Sequence, residues 1–250
     1  MRTVQELWQQ AALVVRSSLF IVIFFSYTCI HAVLCVVFTW PFSFQVRHRF
    51  VTFWVRFSLW CLAKICFLTY QVEGKENIPE TPGVVLCKHE SAWETLALHG
   101  IFQPQVWVLK RELLWVPFLG WGIAMLKPIA IDRNSVHQAL IQIVRQGQDY
   151  LNRGIWVTIF PEGTRVMAGE KGRYLRGGAL LAKQAGSYVL PVAHNAGDFW
   201  ARRSLIKKPG TIRLVIGPPI KSKDRSTAEI NALAEGWIEG TLKEIRNIDA

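Results

Sequence analysis

The sequence predicts an α/β domain that follows N-terminal membrane helices, and three observations support this fold class. From about residue 71 onward, short apolar runs alternate with helical patterns, as they do in α/β folds. Residues 1–45 contain one acidic and two basic residues, whereas residues 46–250 contain 27 of the 29 Lys and Arg residues. The hydrophobic fraction of 51% over 250 residues excludes a disordered chain. We therefore expect a membrane anchor over residues 1–70 and one folded domain over residues 71–250.

The anchor is predicted from residues 17–40, which contain no Asp, Glu, Lys or Arg. As a helix this segment would be about 36 Å long, enough to cross a hydrocarbon core of about 30 Å. It exceeds the apolar region of a signal peptide, and Trp40, Pro41 and Phe42 follow it where a cleavage site needs small residues. We expect a membrane span over residues 17–40 that stays on the protein.

The second anchor segment is apolar over residues 50–70 but carries cations on one side. Arg49, Arg56 and Lys64 would fall within an arc of about 80° on a helix. This pattern favours a helix that lies in the membrane interface with its cations towards lipid phosphates, and a second membrane helix is the alternative. Because cations are more frequent after the span than before it, the positive-inside tendency predicts a cytoplasmic domain.

The domain over residues 71–250 contains six short apolar runs that predict strands. These runs cover residues 83–87, 105–109, 128–131, 155–160, 188–193 and 211–216. A helix is predicted from a cap at Asn134 or Ser135 to the stop signal Gly154. Ser226 and Glu229 form a capping-box pattern that opens a C-terminal helix. These patterns leave the order of the strands in the sheet open.

The first candidate for chemistry is the pair His89 and Glu94, which follows the strand predicted over residues 83–87. If His89 ends the loop, Ser91 caps a helix and Glu94 lies in its first turn, the carboxylate accepts from one ring nitrogen of His89. The other nitrogen is then free to remove a proton from a hydroxyl. Two alternatives stay open: Glu94 only completes a capping box with Ser91, or the spacing arises by chance.

The second candidate is the hexapeptide Phe-Pro-Glu-Gly-Thr-Arg at residues 160–165. A glycine turn after a strand exposes backbone N–H groups, and Thr164 and Arg165 add a hydroxyl and a guanidinium. Such a loop suits a phosphate monoester. The alternative is an ordinary turn that carries a surface arginine.

A third stretch supplies further cations and apolar side chains. Lys110, Arg111 and Arg133 are candidates for binding anionic groups. Leu113, Trp115 and Phe118 can line an apolar channel. The alternative is that they are surface cations and core aromatics with no special role. Further cations that can face an anionic membrane or solvent are Arg173, Arg176 and Lys183.

Composition and motifs exclude several classes of protein. The five cysteines include no Cys-x2-Cys pair, so neither a zinc site nor a disulfide framework is expected. The net charge of +11 suggests an anionic partner, but no helix-turn-helix, zinc-finger or RNP-like pattern supports nucleic acid. No Gly-x-Ser-x-Gly elbow is present, and Trp93 occupies the position of the second His of a zincin motif. We predict no metal, no cofactor and no nucleic-acid partner.

The order of these motifs resembles the phospholipid/glycerol acyltransferase family, most closely its bacterial members that acylate lysophosphatidic acid. His89 and Glu94 resemble the family's His-x4-Asp pair, with Glu in place of Asp. The second, third and fourth family motifs resemble residues 110–120 with 129–133, residues 160–165, and residues 189–192. The resemblance covers about residues 83–193.

This resemblance implies a mixed sheet flanked by helices, as in glycerol-3-phosphate acyltransferases. It implies that His89 deprotonates the free sn-2 hydroxyl of lysophosphatidic acid, that Glu94 orients His89, and that the oxygen attacks an acyl thioester to form phosphatidic acid. The implied ligands of the acceptor's phosphate end are Glu162, Gly163, Thr164, Arg165, Lys110 and Arg133. We expect Glu162 to pair with a cation rather than to touch phosphate, because both groups are anionic.

The implied partners are membrane phospholipid, lysophosphatidic acid, and either acyl-CoA or acyl carrier protein as the acyl donor. The implied location is the bacterial inner membrane, with the folded domain on the cytoplasmic side. Two alternatives stay open at this point. One is an acyltransferase for glycerol-3-phosphate or another lysolipid, and the other is a non-catalytic, membrane-anchored phospholipid-binding protein.

Overall fold

A computed structural model describes residues 3–247, so the first two and last three residues of the predicted domains lie outside the described residues. Within this range the chain forms one sheet of eight strands. The strands are β1 (Leu68–Glu73), β2 (Val84–Cys87), β3 (Gln105–Lys110), β4 (Ile129–Ile131), β5 (Trp156–Ile159), β6 (Tyr188–His194), β7 (Gly210–Ile216) and β8 (Ile220–Lys221). The α-helices are α1 (Val4–Thr39), α2 (Phe44–Ile65), α3 (Trp93–Ile101), α4 (Leu119–Ala124), α5 (Val136–Asn152), α6 (Gly177–Gln184), α7 (Ala196–Phe199) and α8 (Thr227–Arg246).

The sheet is mixed, as the resemblance implied, and the predicted fold class is confirmed. Its strand order is β1-β7-β6-β2-β5-β3-β4, with β8 paired to β6. Strands β6, β2, β5, β3 and β4 run parallel to one another, whereas β7 is antiparallel to β6. The carboxyl ends of five strands therefore meet at one edge, where α/β proteins bind their ligands.

Helices cover both faces of this sheet. Along β2, Val84 and Leu86 pack into a core formed with α5, α6 and α8, whereas Val85 and Cys87 pack into a second core formed with α2 and α3. Both faces of a central parallel strand are thus buried, which explains why β2 reads as a continuous apolar run rather than an alternating one.

All six predicted strands are present, but the helix predicted over residues 50–70 is wrong at its C-terminal end. Helix α2 ends at Ile65, and Phe67 adopts a positive φ of 53° that a helix cannot continue through. Leu68 then begins β1, which pairs with β7 about 140 residues later. Local periodicity cannot reveal such a distant partner, so this strand and the short β8 were not predicted.

Helices α1 and α2 form an antiparallel pair. Trp54 Nε1 donates to Thr28 Oγ1 over 2.8 Å, and a ring nitrogen of His31 lies 3.1 Å from the Phe50 carbonyl oxygen. By length and composition, α1 is the one helix among residues 3–247 that can cross a membrane. The pair exposes large apolar side chains, among them Val22, Phe25, Val37, Phe38, Phe53 and Trp60.

Helix α1 is also packed into the domain. Ser17 Oγ accepts from the Lys207 amide over 2.9 Å, and both residues are buried. Phe20 is 1% exposed and meets the Trp200 ring edge-on at 5.8 Å. Helix α1 is therefore a structural part of the folded domain and not a flexible tether.

The packing of α1 against the domain predicts different effects for substitutions at two neighbouring residues of α1. Phe20→Ala removes a buried ring from the shared core and should destabilise the full chain by about 3 kcal/mol. Leu19→Ala is the matched control, because Leu19 is 51% exposed. Thermal unfolding in detergent micelles measures both. Equal melting temperatures for the two variants would show that α1 is a detachable anchor.

Candidate active site

The candidate site lies at the edge where the five parallel strands end. His89 follows β2, the residue 160–165 loop follows β5, and Arg133 follows β4. His194 ends β6. Because carboxyl ends of parallel strands meet at one edge, motifs far apart in the sequence become neighbours in space.

His89 and Glu94 are in direct contact. His89 Nδ1 lies 2.8 Å from Glu94 Oε1, and the Glu94 side chain is fully buried. The same oxygen accepts from the amides of Glu90 and Ser91 over 3.1 and 2.9 Å. The longer Glu side chain therefore makes the contact expected of an Asp, and the same carboxylate also binds two amides of the loop before α3.

The N-cap prediction for Ser91 is wrong by one residue. Helix α3 begins at Trp93 with Ala92 as its N-cap, so Glu94 does lie in the first turn. Ser91 Oγ accepts from the Trp93 amide over 3.2 Å instead. Its hydroxyl still satisfies one of the amides left unpaired at the helix start.

The geometry defines which nitrogen of His89 is free. A carboxylate only accepts hydrogen bonds, so Nδ1 carries the proton when the neutral ring donates to Glu94. The ring stacks on Phe160 with centroids 4.1 Å apart, and 13% of its side chain is exposed. Nε2 makes no hydrogen bond with any described residue and is free to accept a proton.

His194 supports Glu94 from the other side. It is fully buried, its Nδ1 accepts from the Ala196 amide, and its Nε2 lies 2.9 Å from the Lys88 carbonyl oxygen. Burial raises the pKa of Glu94, but the neighbouring His194 and the hydrogen bond from His89 outweigh burial and hold this pKa below its ordinary value. Glu94 is therefore a carboxylate at neutral pH.

The loop after β5 holds the backbone of His89 in place. Glu162 Oε2 accepts from the His89 amide over 3.0 Å, and the Val166 amide donates to the His89 carbonyl over 2.9 Å. The cation that pairs with Glu162 is Lys88, at 2.8 Å, and both side chains are fully buried. Gly163 has a φ of 68°, the left-handed conformation that favours glycine in this turn.

One cavity contains most of the predicted site residues. Its lining includes His89, Arg133, Glu162, Gly163 and Thr164, whereas Arg165 and Lys110 lie outside it. Lys110 instead pairs with Glu112 over 3.3 Å at the surface. Glu94 does not line the cavity but contacts the His89 ring from the protein interior, as an orienting group should.

Two further arginines, Arg173 and Arg176, line the same cavity. Sequence reasoning treated them as membrane-facing or solvated cations, because no motif connects them to the site. Neither forms a salt bridge with any residue in the described range, and the same holds for Arg133. They lie just before α6, and because α6 packs beside β2 they are close to His89 in the folded chain.

A second, apolar cavity lies between the helix pair and the domain. Its lining includes Ala32, Val55, Trp107, Phe118 and Leu126. Of the three side chains predicted to line an apolar channel, Phe118 does so. The other two are on the surface: Leu113 is 41% exposed and Trp115 is 70% exposed.

Comparisons with known proteins agree with this arrangement. A family model described as acyltransferase matches residues 69–195. The chain is 50% identical to a Pseudomonas aeruginosa protein named 1-acyl-sn-glycerol-3-phosphate acyltransferase, over 82% of this chain and 81% of that one. A Saccharomyces cerevisiae protein of the same name is 30% identical over 71% of this chain and 61% of its own length.

A solved structure supports the fold. The crystal structure of the 1-acyl-sn-glycerophosphate acyltransferase PlsC from Thermotoga maritima superimposes with a TM-score of 0.78, covering 96% of this chain and 99% of that one. The two sequences are 20% identical, so this likeness concerns the fold alone.

The lowered pKa of Glu94 predicts a pH-dependent effect of Glu94→Gln. A carboxyl with a lowered pKa stabilises the folded state above its unfolded pKa of about 4.3, and this contribution disappears as the pH falls through the folded value. The variant should therefore be less stable than the wild type by about 1–3 kcal/mol at pH 7. The difference in melting temperature should shrink below about pH 4.

Thermal unfolding between pH 7 and pH 3 measures this difference. Glu244→Gln, at an exposed position of α8, is the control. A difference that stays constant over the whole range would show that the charge of Glu94 makes no contribution.

Proposed function

This chain belongs to the acyltransferase family, and we propose that it transfers a fatty acyl group from an acyl thioester to the free hydroxyl of 1-acyl-sn-glycerol-3-phosphate, forming phosphatidic acid. The observation that carries the proposal is the His89–Glu94 pair, because His89 has one ring nitrogen free and lines a cavity that also contains three arginines. The names of the relatives support the acceptor, and we propose acyl-CoA or acyl carrier protein as the donor.

The chemistry follows from the ring geometry. His89 Nε2 takes the proton of the acceptor hydroxyl while that oxygen attacks the thioester carbonyl carbon. The C–O bond forms, the C–S bond breaks, and the proton on His89 passes to the leaving thiolate. Glu94 stabilises the positive charge that the ring carries between the two proton transfers. The acyl group never bonds to the protein in this sequence of steps.

The charges of the cavity suit the substrates. The acceptor carries a phosphate, and both proposed donors carry phosphate on the group that bears the thioester. Arg133, Arg173 and Arg176 line the cavity without carboxylate partners among the described residues. Arginine binds phosphate oxygens through paired N–H groups. We propose that these arginines and the neighbouring Arg165 hold the phosphates of the two substrates.

The apolar parts of the molecule suit a membrane lipid. Helix α1 and membership of this family indicate membrane association. Along α2 the exposed Arg49, Arg56 and Lys64 alternate with exposed Phe53 and Trp60, which supports an interfacial position. We propose a location on the cytoplasmic side of the bacterial inner membrane.

The proposed activity predicts that the purified chain, reconstituted in phospholipid vesicles, forms phosphatidic acid from lysophosphatidic acid and an acyl thioester. His89→Ala should lower kcat by a factor of about 1,000, because it removes the general base. The assay offers acyl-CoA and acyl carrier protein separately, with glycerol-3-phosphate as a second acceptor. The absence of an ester product from every pairing would refute an acyltransferase. A fully active His89→Ala would refute this mechanism.

The phosphate interaction predicts a separate change in the acceptor KM. Arg165→Ala should raise it by about 10-fold or more, the effect of losing a charged hydrogen bond, and leave the donor KM nearly unchanged. Arg153→Ala is the control, since Arg153 lies at the surface before β5, at the opposite edge of the sheet. A rise of both KM values to the same extent would contradict an acceptor-specific role.

A further inference from the structure

The residues on either side of His89 are charged and buried. The side chains of Lys88 and Glu90 are both 0% exposed. An unpaired charge in a protein interior is very costly, so each needs an opposite charge nearby. Neither side chain takes part in the proton transfers described above. Their presence next to the general base therefore requires a different explanation.

Both charges are matched by the same helix. Glu239 Oε1 lies 2.9 Å from Lys88 Nζ, and Arg246 Nη2 lies 2.6 Å from Glu90 Oε2. Glu239 and Arg246 are seven positions apart on α8, which places them on one side of the helix two turns from each other. The C-terminal helix thus binds the residue before His89 and the residue after it.

Each ion pair is part of a larger network. Lys88 Nζ also donates to Glu162 Oε1 and to the Glu170 carbonyl, while Tyr174 donates to Glu239. These contacts connect α8 to the loop after β5, whose Glu162 side chain accepts a hydrogen bond from the His89 amide.

The second network joins Glu90 to α7. Arg246 Nε donates to Asp198 Oδ2 over 3.0 Å, so one guanidinium connects Glu90 with α7. A Cβ at Gly197 would lie 2.7 Å from Glu90 Oε2, so this close approach needs glycine. The carboxylate of Glu90 is therefore confined from two sides.

Stability alone does not account for these pairs. Buried ion pairs rarely stabilise a fold more than apolar side chains of the same size. Helix α8 already buries Ile238, Leu242 and Ile245 in the domain core. The charged side chains of Glu239 and Arg246 add specific ion pairs to residues 88 and 90, on either side of His89.

We propose that Glu239 and Arg246 are positioning residues that hold the backbone of residues 88–90. In that position the His89 ring keeps its hydrogen bond to Glu94, and Nε2 stays turned towards the cavity. The inference rests on the proposed acyl transfer, and it concerns how the base is held rather than which reaction it performs.

The test compares Arg246→Met with Lys243→Met in the full chain in vesicles, since Lys243 is an exposed cation in the same last turn of α8. For Arg246→Met we expect kcat to fall about 10- to 100-fold, as for a misplaced general base. Both KM values should change by less than about twofold, because no substrate contact is removed. Lys243→Met should match the wild type in all three parameters.

A double variant separates positioning from folding. Glu90→Gln with Arg246→Met leaves no fully buried charge unpaired, since Asp198, the other partner of Arg246, is 34% exposed to solvent; its melting temperature should therefore return towards that of the wild type. Its kcat should stay as low as in Arg246→Met. A kcat that recovers together with the melting temperature would overturn the proposal, as would an unchanged kcat per folded molecule in Arg246→Met.

Hydrogen exchange provides a readout that needs no substrate. Peptides covering residues 88–91 should exchange faster in Arg246→Met than in Lys243→Met. The backbone that holds the His89, Glu90 and Ser91 amides against Glu162 and Glu94 is then fixed less firmly, so these hydrogen bonds open more often. Equal exchange would overturn the positioning role even if the wild type formed no phosphatidic acid. A wild type without product would refute the proposed reaction separately.

Discussion

A single buried carboxylate organises the site of this protein. Glu94 lies inside the domain with no exposed surface, and a charge in that position requires hydrogen-bond donors close to it. It obtains them from the His89 ring and from the amides of Glu90 and Ser91. The loop between β2 and α3 must therefore fold back on its own helix. That fold turns the opposite nitrogen of His89 towards the cavity.

The order of the strands in the sheet brings the other residues that surround His89 and Glu94 into position. Because β2, β5 and β6 are parallel neighbours, the loop after β5 brings Glu162 to the His89 amide and the end of β6 brings His194 to Glu94. The helix pair at the N-terminus is fixed to this unit through Ser17 and Phe20. An exposed apolar surface and a polar site are thus parts of one folded unit, which suits the proposed reaction on a substrate that lies partly in a membrane.

The sequence was most informative where structure depends on neighbours in the chain. The six strands, the capping box at Ser226 and the contact between His89 and Glu94 all follow from patterns within a few residues. The pairing of Glu162 with a cation followed from charge alone, but its partner, Lys88, lies 74 positions away.

The rest depended on tertiary pairing. Strand β1 is stabilised by β7, and its three exposed positions, Thr69, Tyr70 and Gln71, gave no alternating pattern. Arg173 and Arg176 reach the cavity only because α6 packs beside β2. The charges of α8 are spaced at seven residues, a pattern visible in the sequence, yet nothing local indicates that this side of the helix faces the loop around His89.

The most direct test of the central claim is the protonation of the His89 ring itself. Nitrogen-15 NMR of the chain labelled at histidine, with the His89 signals assigned by their loss in His89→Gln, reports which nitrogen carries the proton when the ring is neutral. The structure predicts a protonated Nδ1 and an unprotonated Nε2, the arrangement of a base oriented by Glu94. A proton on Nε2 instead would mean that Glu94 does not orient the ring, and the mechanism would fail.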